Sequence, residues 1–266
     1  MKSPVISIIF PLLLLISCGG NGKNQAESWT EQDVSRYVVY WSSLPKSEAQ
    51  QKIDEFFDMI VSRQMEDTSS HVYLQVTEWV SKYLYDPNSP LRDEDLYLPF
   101  VRRMAKCELT DEDRRPGYEY QERMCSLNRY GTKAADFKYR DIDGRDHNLY
   151  DTEAGYTVLF FSNPGCESCR EIVDALRGVE GIDNMIGDGR IAVLNVYIDE
   201  EIDAWKEYEP NYPDNWISGY DPEYIIREDV IYNVRAIPSV YLLDSDKRVL
   251  MKDVPVERLL LFLNNI

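Results

Sequence analysis

The sequence predicts an all-helical N-terminal region followed by a separate α/β domain. Three observations carry this. Apolar residues recur with helical period between residues 29 and 130, and after Gly131 short apolar runs alternate with helical segments. The first of those runs leads directly into a helix that opens on the C-x-x-C pair Cys166 and Cys169.

Residues 1–17 read as an export signal and not as part of the fold. Lys2 precedes an apolar run at 5–16 broken only by Ser7 and Pro11, too short to span a bilayer, which takes about 20 residues. The run ends in Leu15-Ile16-Ser17-Cys18-Gly19-Gly20, where a small residue before cysteine matches a lipobox and makes Cys18 the expected lipidation site. The alternative is an ordinary cleaved signal with a coincidental cysteine. Residues 18–28 have almost no apolar content and read as a flexible tether. The expected location is the cell envelope, periplasmic or outer membrane, with the lipid anchor as the only membrane attachment. A net charge of −18 leaves no basic surface for nucleic acid or anionic lipid. The 44% apolar and 12% aromatic content is enough to build cores behind that acidic surface.

In the helical region, Ile53, Phe56, Phe57, Ile60 and Val61 make one apolar stripe, and Val72, Val76, Trp79, Val80 and Tyr83 make a second. A third helix is expected over 92–107, after the turn signal Asp86-Pro87-Asn88-Ser89-Pro90, with Asp93, Glu94 and Asp95 at its N-terminal dipole and Pro99 kinking or splitting it. Each stripe needs a partner, so three or four helices should pack as a small bundle. A Cys107–Cys125 disulfide is disfavoured. On a helix returning from a turn near Thr110, Cys125 would lie ~22 Å along the axis, whereas a bridge needs Cα atoms within about 7 Å. Only a break at Pro116-Gly117 would bring the two together; otherwise they are two buried or half-buried thiols.

In the α/β domain, Tyr156–Phe161 reads as a buried strand, Asn163-Pro164-Gly165 as a turn, and 166–177 as a helix with the stripe Cys169, Val173, Leu176. Residues 191–198 make a second buried strand, expected parallel to the first because a helical crossover joins them. An acidic helical stretch at 200–208 precedes a polar connection at 209–224 holding Tyr212, Trp216, Tyr220 and Tyr224, which suits equally a recognition loop or cover for a core. The end reads as a hairpin, Ser239–Asp244 with 248–252, then a helix at 255–263 with Pro255 in its first position.

A strand that delivers C-x-x-C to a helix start has a chemical purpose. The first cysteine sits where unpaired backbone N–H groups and the helix dipole stabilise a thiolate, and the second, one turn inward, can attack a mixed disulfide. Cys166 is therefore the candidate nucleophile and Cys169 the candidate resolving thiol, with Glu167 and Ser168 between them as modulators. About 70 residues later Ile237-Pro238 begins a strand, and a proline there marks a strand start or a cis bond.

At these residues the chain resembles the thioredoxin superfamily. The resemblance implies that Pro238, with Ile237 beside it, faces the cysteine pair and lets an extended substrate lie alongside. Gly131-Thr132-Lys133-Ala134-Ala135-Asp136-Phe137 and the Asp143-Gly144 turn look like the start of the membrane-tethered thioredoxin-like reductases, so the likeness covers about 131–266. Tyr83-Leu84-Tyr85-Asp86-Pro87-Asn88-Ser89-Pro90 and Asn163-Pro164-Gly165-Cys166-Glu167-Ser168-Cys169 are similar to segments of Gram-negative thioredoxin-like lipoproteins whose helical N-terminal domain has no assigned function. The expected division is thus signal 1–17, tether 18–28, helical domain 29–130 and thioredoxin-like domain 131–266.

Three departures stand out. Gly165 replaces the tryptophan that usually precedes the nucleophile, Phe160 stands six before Cys166 where the family keeps a buried acid, and Glu167-Ser168 replaces Gly-Pro. A carboxylate beside Cys166 opposes its thiolate and so favours a reductase or isomerase over a strong oxidant. The leading expectation is an exported, membrane-anchored thiol–disulfide oxidoreductase acting on protein thiols or disulfides together with a redox partner protein. It needs no cofactor, and no metal is expected, because His71 and His147 lie far from the cysteines and out of ligand spacing. A docking module with idle cysteines is the second reading. A peroxiredoxin-type peroxidase is the third, and it lacks the Pro-x-x-x-Thr/Ser-x-x-Cys arrangement around Cys166.

Overall fold

The computed structural model describes residues 29–266. The expected signal, Cys18 and the tether lie outside the described residues.

Among the described residues five helices form the N-terminal region, where the apolar stripes suggest three or four. Helix α1 (Glu31–Ser42) starts at a capping box in which Thr30 and Asp33 each satisfy the other's backbone N–H. Its Val34, Val38 and Trp41 face packs into the core shared with α3 (Val72–Leu84) and with α2 (Lys46–Glu66), which buries Ile53, Phe56, Phe57 and Ile60 of the expected stripe. Helix α3 buries Val76 and Val80 and keeps Trp79 and Tyr83 at the core's edge. Phe56 meets Trp29 and Trp41 at 5.2 and 5.1 Å, and Phe57 meets Phe100 at 5.2 Å, so aromatic contacts centre the bundle.

Helix α4 (Glu94–Lys106) runs on through Pro99, so of the two effects expected of that proline, splitting does not occur. A proline inside a helix costs about 3 kcal/mol, whereas Leu96, Phe100, Val101 and Met104 are each buried for about 1.5–3 kcal/mol. Helix α5 (Arg115–Cys125) turns back along α4. Only Cys125 on it is fully buried, so its apolar period is faint in the sequence. Cys107 is half-buried and Cys125 buried, both as free thiols, in agreement with the distance argument against a bridge.

The second domain is one seven-stranded mixed sheet. Its strands are β1 (Lys138–Arg140), β2 (Asp146–Asn148), β3 (Tyr156–Phe161), β4 (Ile191–Tyr197), β5 (Ile217–Tyr220), β6 (Ser239–Asp244) and β7 (Val249–Lys252), in the order β2-β1-β5-β4-β3-β6-β7. The expected β3–β4 pairing is parallel, from Tyr156 opposite Ile191 to Phe161 opposite Val196, and the β6–β7 hairpin is antiparallel. All seven residues of β4 are buried, as suits a strand covered on both faces. One face carries α6 (Glu167–Arg177), α7 (Ile182–Gly187) and α9 (Val256–Leu263); the other is closed by Ala134, Phe137, Leu149, Ile226 and Tyr232.

Strand β5 lies inside the stretch that the sequence presents as a connection. A Cβ on its Gly219 would stand 2.6 Å from the Tyr139 ring, so the glycine that weakens the strand signal is what lets β1 approach. Helix α8 (Ile202–Tyr208) lays Trp205 on Tyr220, their rings 5.1 Å apart. Pro255 caps α9 from just outside, one position before the expected place. Among the described residues no helix is long and apolar enough to cross a membrane.

The acids opening α4 do more than answer the helix dipole. Asp93 caps the helix through the Leu96 N–H and pairs with Lys46 at 2.7 Å and with Arg258 of α9 at 2.9 Å, which ties the two domains together. Its neighbour Glu94 is buried between the domains, against Arg235 at 2.8 Å and Lys252 at 2.7 Å.

Candidate active site

Strand β3 hands the chain to α6 across Ser162 and the Asn163-Pro164-Gly165 turn. Gly165 sits at φ +70°, a conformation that a side chain would strain even though the space around it is open. The Asn163 amide donates to Asp199 at 2.6 Å, and Arg227 donates to the other oxygen of that carboxylate at 2.6 Å, so the turn is anchored to the segment after β4.

Cys166 is the N-cap of α6. Its sulfur accepts the Cys169 backbone N–H at 3.2 Å, filling one of the orphan donor positions of the helix start. The two cysteines form a disulfide with Cα atoms 5.2 Å apart. They are not equivalent: Cys166 is half-buried, whereas Cys169 is 3% exposed and packs in the core with Ile172, Val173 and Leu176. Glu167 and Ser168 both face solvent. The Glu167 side chain is 79% exposed and 3.5 Å from Arg170, so water and that cation screen the charge expected to oppose the Cys166 thiolate.

The Ile237–Pro238 bond is cis, one of the two arrangements expected of it. The register places it with the cysteines. Ser239 opposes Phe161, so Pro238, one residue before β6, lies at the end of the sheet from which β3 releases its chain toward Cys166. Ile237 and Pro238 are half-buried, and Ile237 and Cys166 border the same core cluster. The sheet thus gathers all four principal candidates at one edge.

Phe160 is wholly buried and meets Trp216 edge-on at 6.4 Å, which fills the space where the family pattern places an acid. The buried polar groups lie one step away. The Ser162 hydroxyl donates to the Asn195 side-chain oxygen at 2.5 Å and stands 2.9 Å from the Tyr212 hydroxyl. Serine has one proton to give, so Tyr212 is the donor in the second bond. Burial pushes the Tyr212 phenol above its ordinary range and keeps it neutral. Tyr212 and Tyr208 also line a cleft of about 250 Å³ that contains Asn163, Cys169 and Arg170. Within 209–224, Tyr212 and Trp216 cover the core, and Tyr212 also lines the cleft beside Cys169. Asn195 interrupts an otherwise apolar strand, and that was the available signal for this network.

A crystal structure of a thioredoxin-like protein from Bacteroides caccae matches with a TM-score of 0.79 at 35% identity, over 88% of this chain and 82% of its own. The chain belongs to the thioredoxin-like proteins. A second match is to a conserved protein of unknown function from Bacteroides fragilis, 36% identical over 51% of this chain and 98% of that one, with a TM-score of 0.50. In front of the thioredoxin-like domain, residues 24–128 match a family described as a domain of unknown function, DUF5106. No curated protein matches the chain.

Proposed function

We propose that this thioredoxin-like protein is a thiol–disulfide oxidoreductase working through Cys166 and Cys169 on protein substrates. The carrying observation is the asymmetry of the pair: a half-exposed sulfur held at the N-cap by a backbone N–H, with its partner buried one turn behind. In the reduced protein the Cys166 thiolate attacks a substrate disulfide, forms a mixed disulfide and expels one substrate thiolate. The Cys169 thiolate then attacks the Cys166 sulfur, expels the second substrate thiolate and leaves the Cys166–Cys169 disulfide. Two electrons pass to the substrate, the expelled thiolates take up protons, and a donor protein dithiol restores the pair.

The cis-Pro238 edge supports an extended partner chain as substrate, with Ile237 beside it. The Glu167 carboxylate beside Cys166, weakened by water and Arg170 but still present, opposes the thiolate and supports a reductase or isomerase over a strong oxidant. Export and acylation at Cys18 belong to the same proposal and rest on the residue 1–18 pattern alone, as does a periplasmic or outer-membrane location.

The test is a redox titration of the purified chain with thiol trapping, alongside insulin reduction by wild type and Cys166→Ser. A reversible two-electron couple is expected nearer about −270 mV than about −120 mV, the span between reducing and strongly oxidising members of this fold. Insulin reduction is expected to vanish in Cys166→Ser. One observation favours the second reading, a docking module: the buried acid is replaced by a well-packed Phe160–Trp216 pair. A pair that stays oxidised at every poise would establish that reading and end the first.

A further inference from the structure

Residues 233–238, which lead into cis-Pro238, belong to no helix or strand, yet they must hold still if a substrate is to lie beside the proline. What holds them comes largely from the helical domain. The Asn233 amide donates to Glu94 at 2.7 Å, and the Arg235 guanidinium stands 2.8 Å from the same carboxylate oxygen. Arg235 also lies over the Tyr85 ring at 4.5 Å and donates to Asp253 at 2.8 Å. On the far side of Pro238, the Ser239 hydroxyl donates to the other Asp253 oxygen at 2.8 Å. Arg92 closes the arrangement from the helical domain by donating to the backbone carbonyls of Asp253 and Val254 at 2.9 and 3.1 Å.

Glu94 and Asp253 are buried, and Arg235 is 9% exposed. Burial works against the Arg235 charge, yet Glu94 and Asp253 hold it above its ordinary value, so the group remains a fixed cation. Ala236, Ile237 and Pro238 have no side-chain hydrogen-bonding group of their own. Their position is set from both ends, directly by Glu94 and through Asp253.

We propose that the helical domain serves the exchange site, and that Glu94 is a positioning residue holding the Asn233–Ser239 segment so that cis-Pro238 presents a ready edge to a protein substrate. The proposal rests on the oxidoreductase reading for its substrate and on these contacts for everything else. A small disulfide needs only the Cys166 sulfur. A protein disulfide must also dock its chain along Pro238. Loosening the segment should therefore weaken protein docking and spare the chemistry.

The experiment compares the full chain with Glu94→Gln, which keeps an acceptor for Asn233 but removes the charge, and with Asn233→Ala, which cuts a link without leaving a charge unpaired. The readouts are KM and kcat for insulin reduction, the rate with a small aromatic disulfide, the potential of the cysteine couple, and amide exchange across residues 233–239. Both variants are expected to raise the insulin KM by about fivefold or more and to speed amide exchange in the segment by about tenfold, the scale of losing a hydrogen bond to a charged group. The potential and the small-disulfide rate should stay within about twofold, well under the tenfold that about 1.4 kcal/mol would produce. An unchanged insulin KM, or equal loss with both substrates, overturns the proposal. If Glu94→Gln does not fold, Asn233→Ala decides. A wild-type chain inactive on both disulfides sinks the oxidoreductase reading, and amide exchange alone then tells whether Glu94 holds the segment.

Discussion

Lys252→Met tests the buried charge cluster where the domains meet. Lys252 is buried, and its ammonium stands 2.7 Å from Glu94 Oε2 while donating to the carbonyls of Leu127 at 2.5 Å, Cys125 at 3.2 Å and Met124 at 3.4 Å. It therefore neutralises a buried carboxylate and caps the end of α5 at once. Methionine keeps the length and volume and loses both roles. Removing one partner of a buried pair costs about 3–5 kcal/mol, and since Arg235 stays with Glu94 at 2.8 Å the lower end applies, about 3 kcal/mol. Urea denaturation of the oxidised chain, followed by tryptophan fluorescence, reads the loss. In Glu94→Gln/Lys252→Met the stranded charge is gone, so the double variant should be less destabilised than the sum of the singles by about 1.5–3 kcal/mol. A loss under about 1 kcal/mol in the single variant, or effects that add within about 0.5 kcal/mol, refutes the reasoning.

Two further outcomes follow from buried groups. Burial pushes the Cys125 thiol far above its ordinary range, while Cys107 is half-buried; iodoacetamide at mildly alkaline pH should label Cys107 in the folded chain and Cys125 only on unfolding, as mapped by peptide mass. Burial opposes the Asp93 charge, but Lys46 and Arg258 hold its carboxyl below the ordinary carboxylate range. Because the folded value is the lower one, its contribution is present above the ordinary aspartate range near about 4 and is lost as pH falls through the folded value. Asp93→Asn should accordingly lower the urea midpoint at neutral pH, with the gap from wild type closing in acid; a gap that stays constant with pH contradicts the assignment.

Chain periodicity and local chemistry made most of the architecture legible. The α2 and α3 stripes, the β3 and β4 runs, the β6–β7 hairpin and the Cys166 helix start all depend on neighbours in sequence, and each folded where its pattern points. Two of the elements missed share a cause. Helix α5 and strand β5 carry faint patterns because α5 buries one residue fully and β5 needs Gly219 to admit β1, so only their partners hold them in place. Pro99 does not split α4, because the buried face around it offsets the cost of the proline.

The sequence by itself determined two unlike domains, the cysteine pair at a helix start and the proline before a strand, because each is written within a few turns of chain. It could not determine what surrounds them. Glu94 reads as an ordinary dipole acid, and nothing local in the sequence marks Arg235, 141 residues away, as its partner. Only the folded chain brings them to 2.8 Å and buries them beside the segment that ends in Pro238, and likewise brings Ser162, Asn195 and Tyr212 together near Cys169. Burial and long-range pairing are properties of the packed molecule, and they turn charges that water would screen into groups that fix the shape of the site.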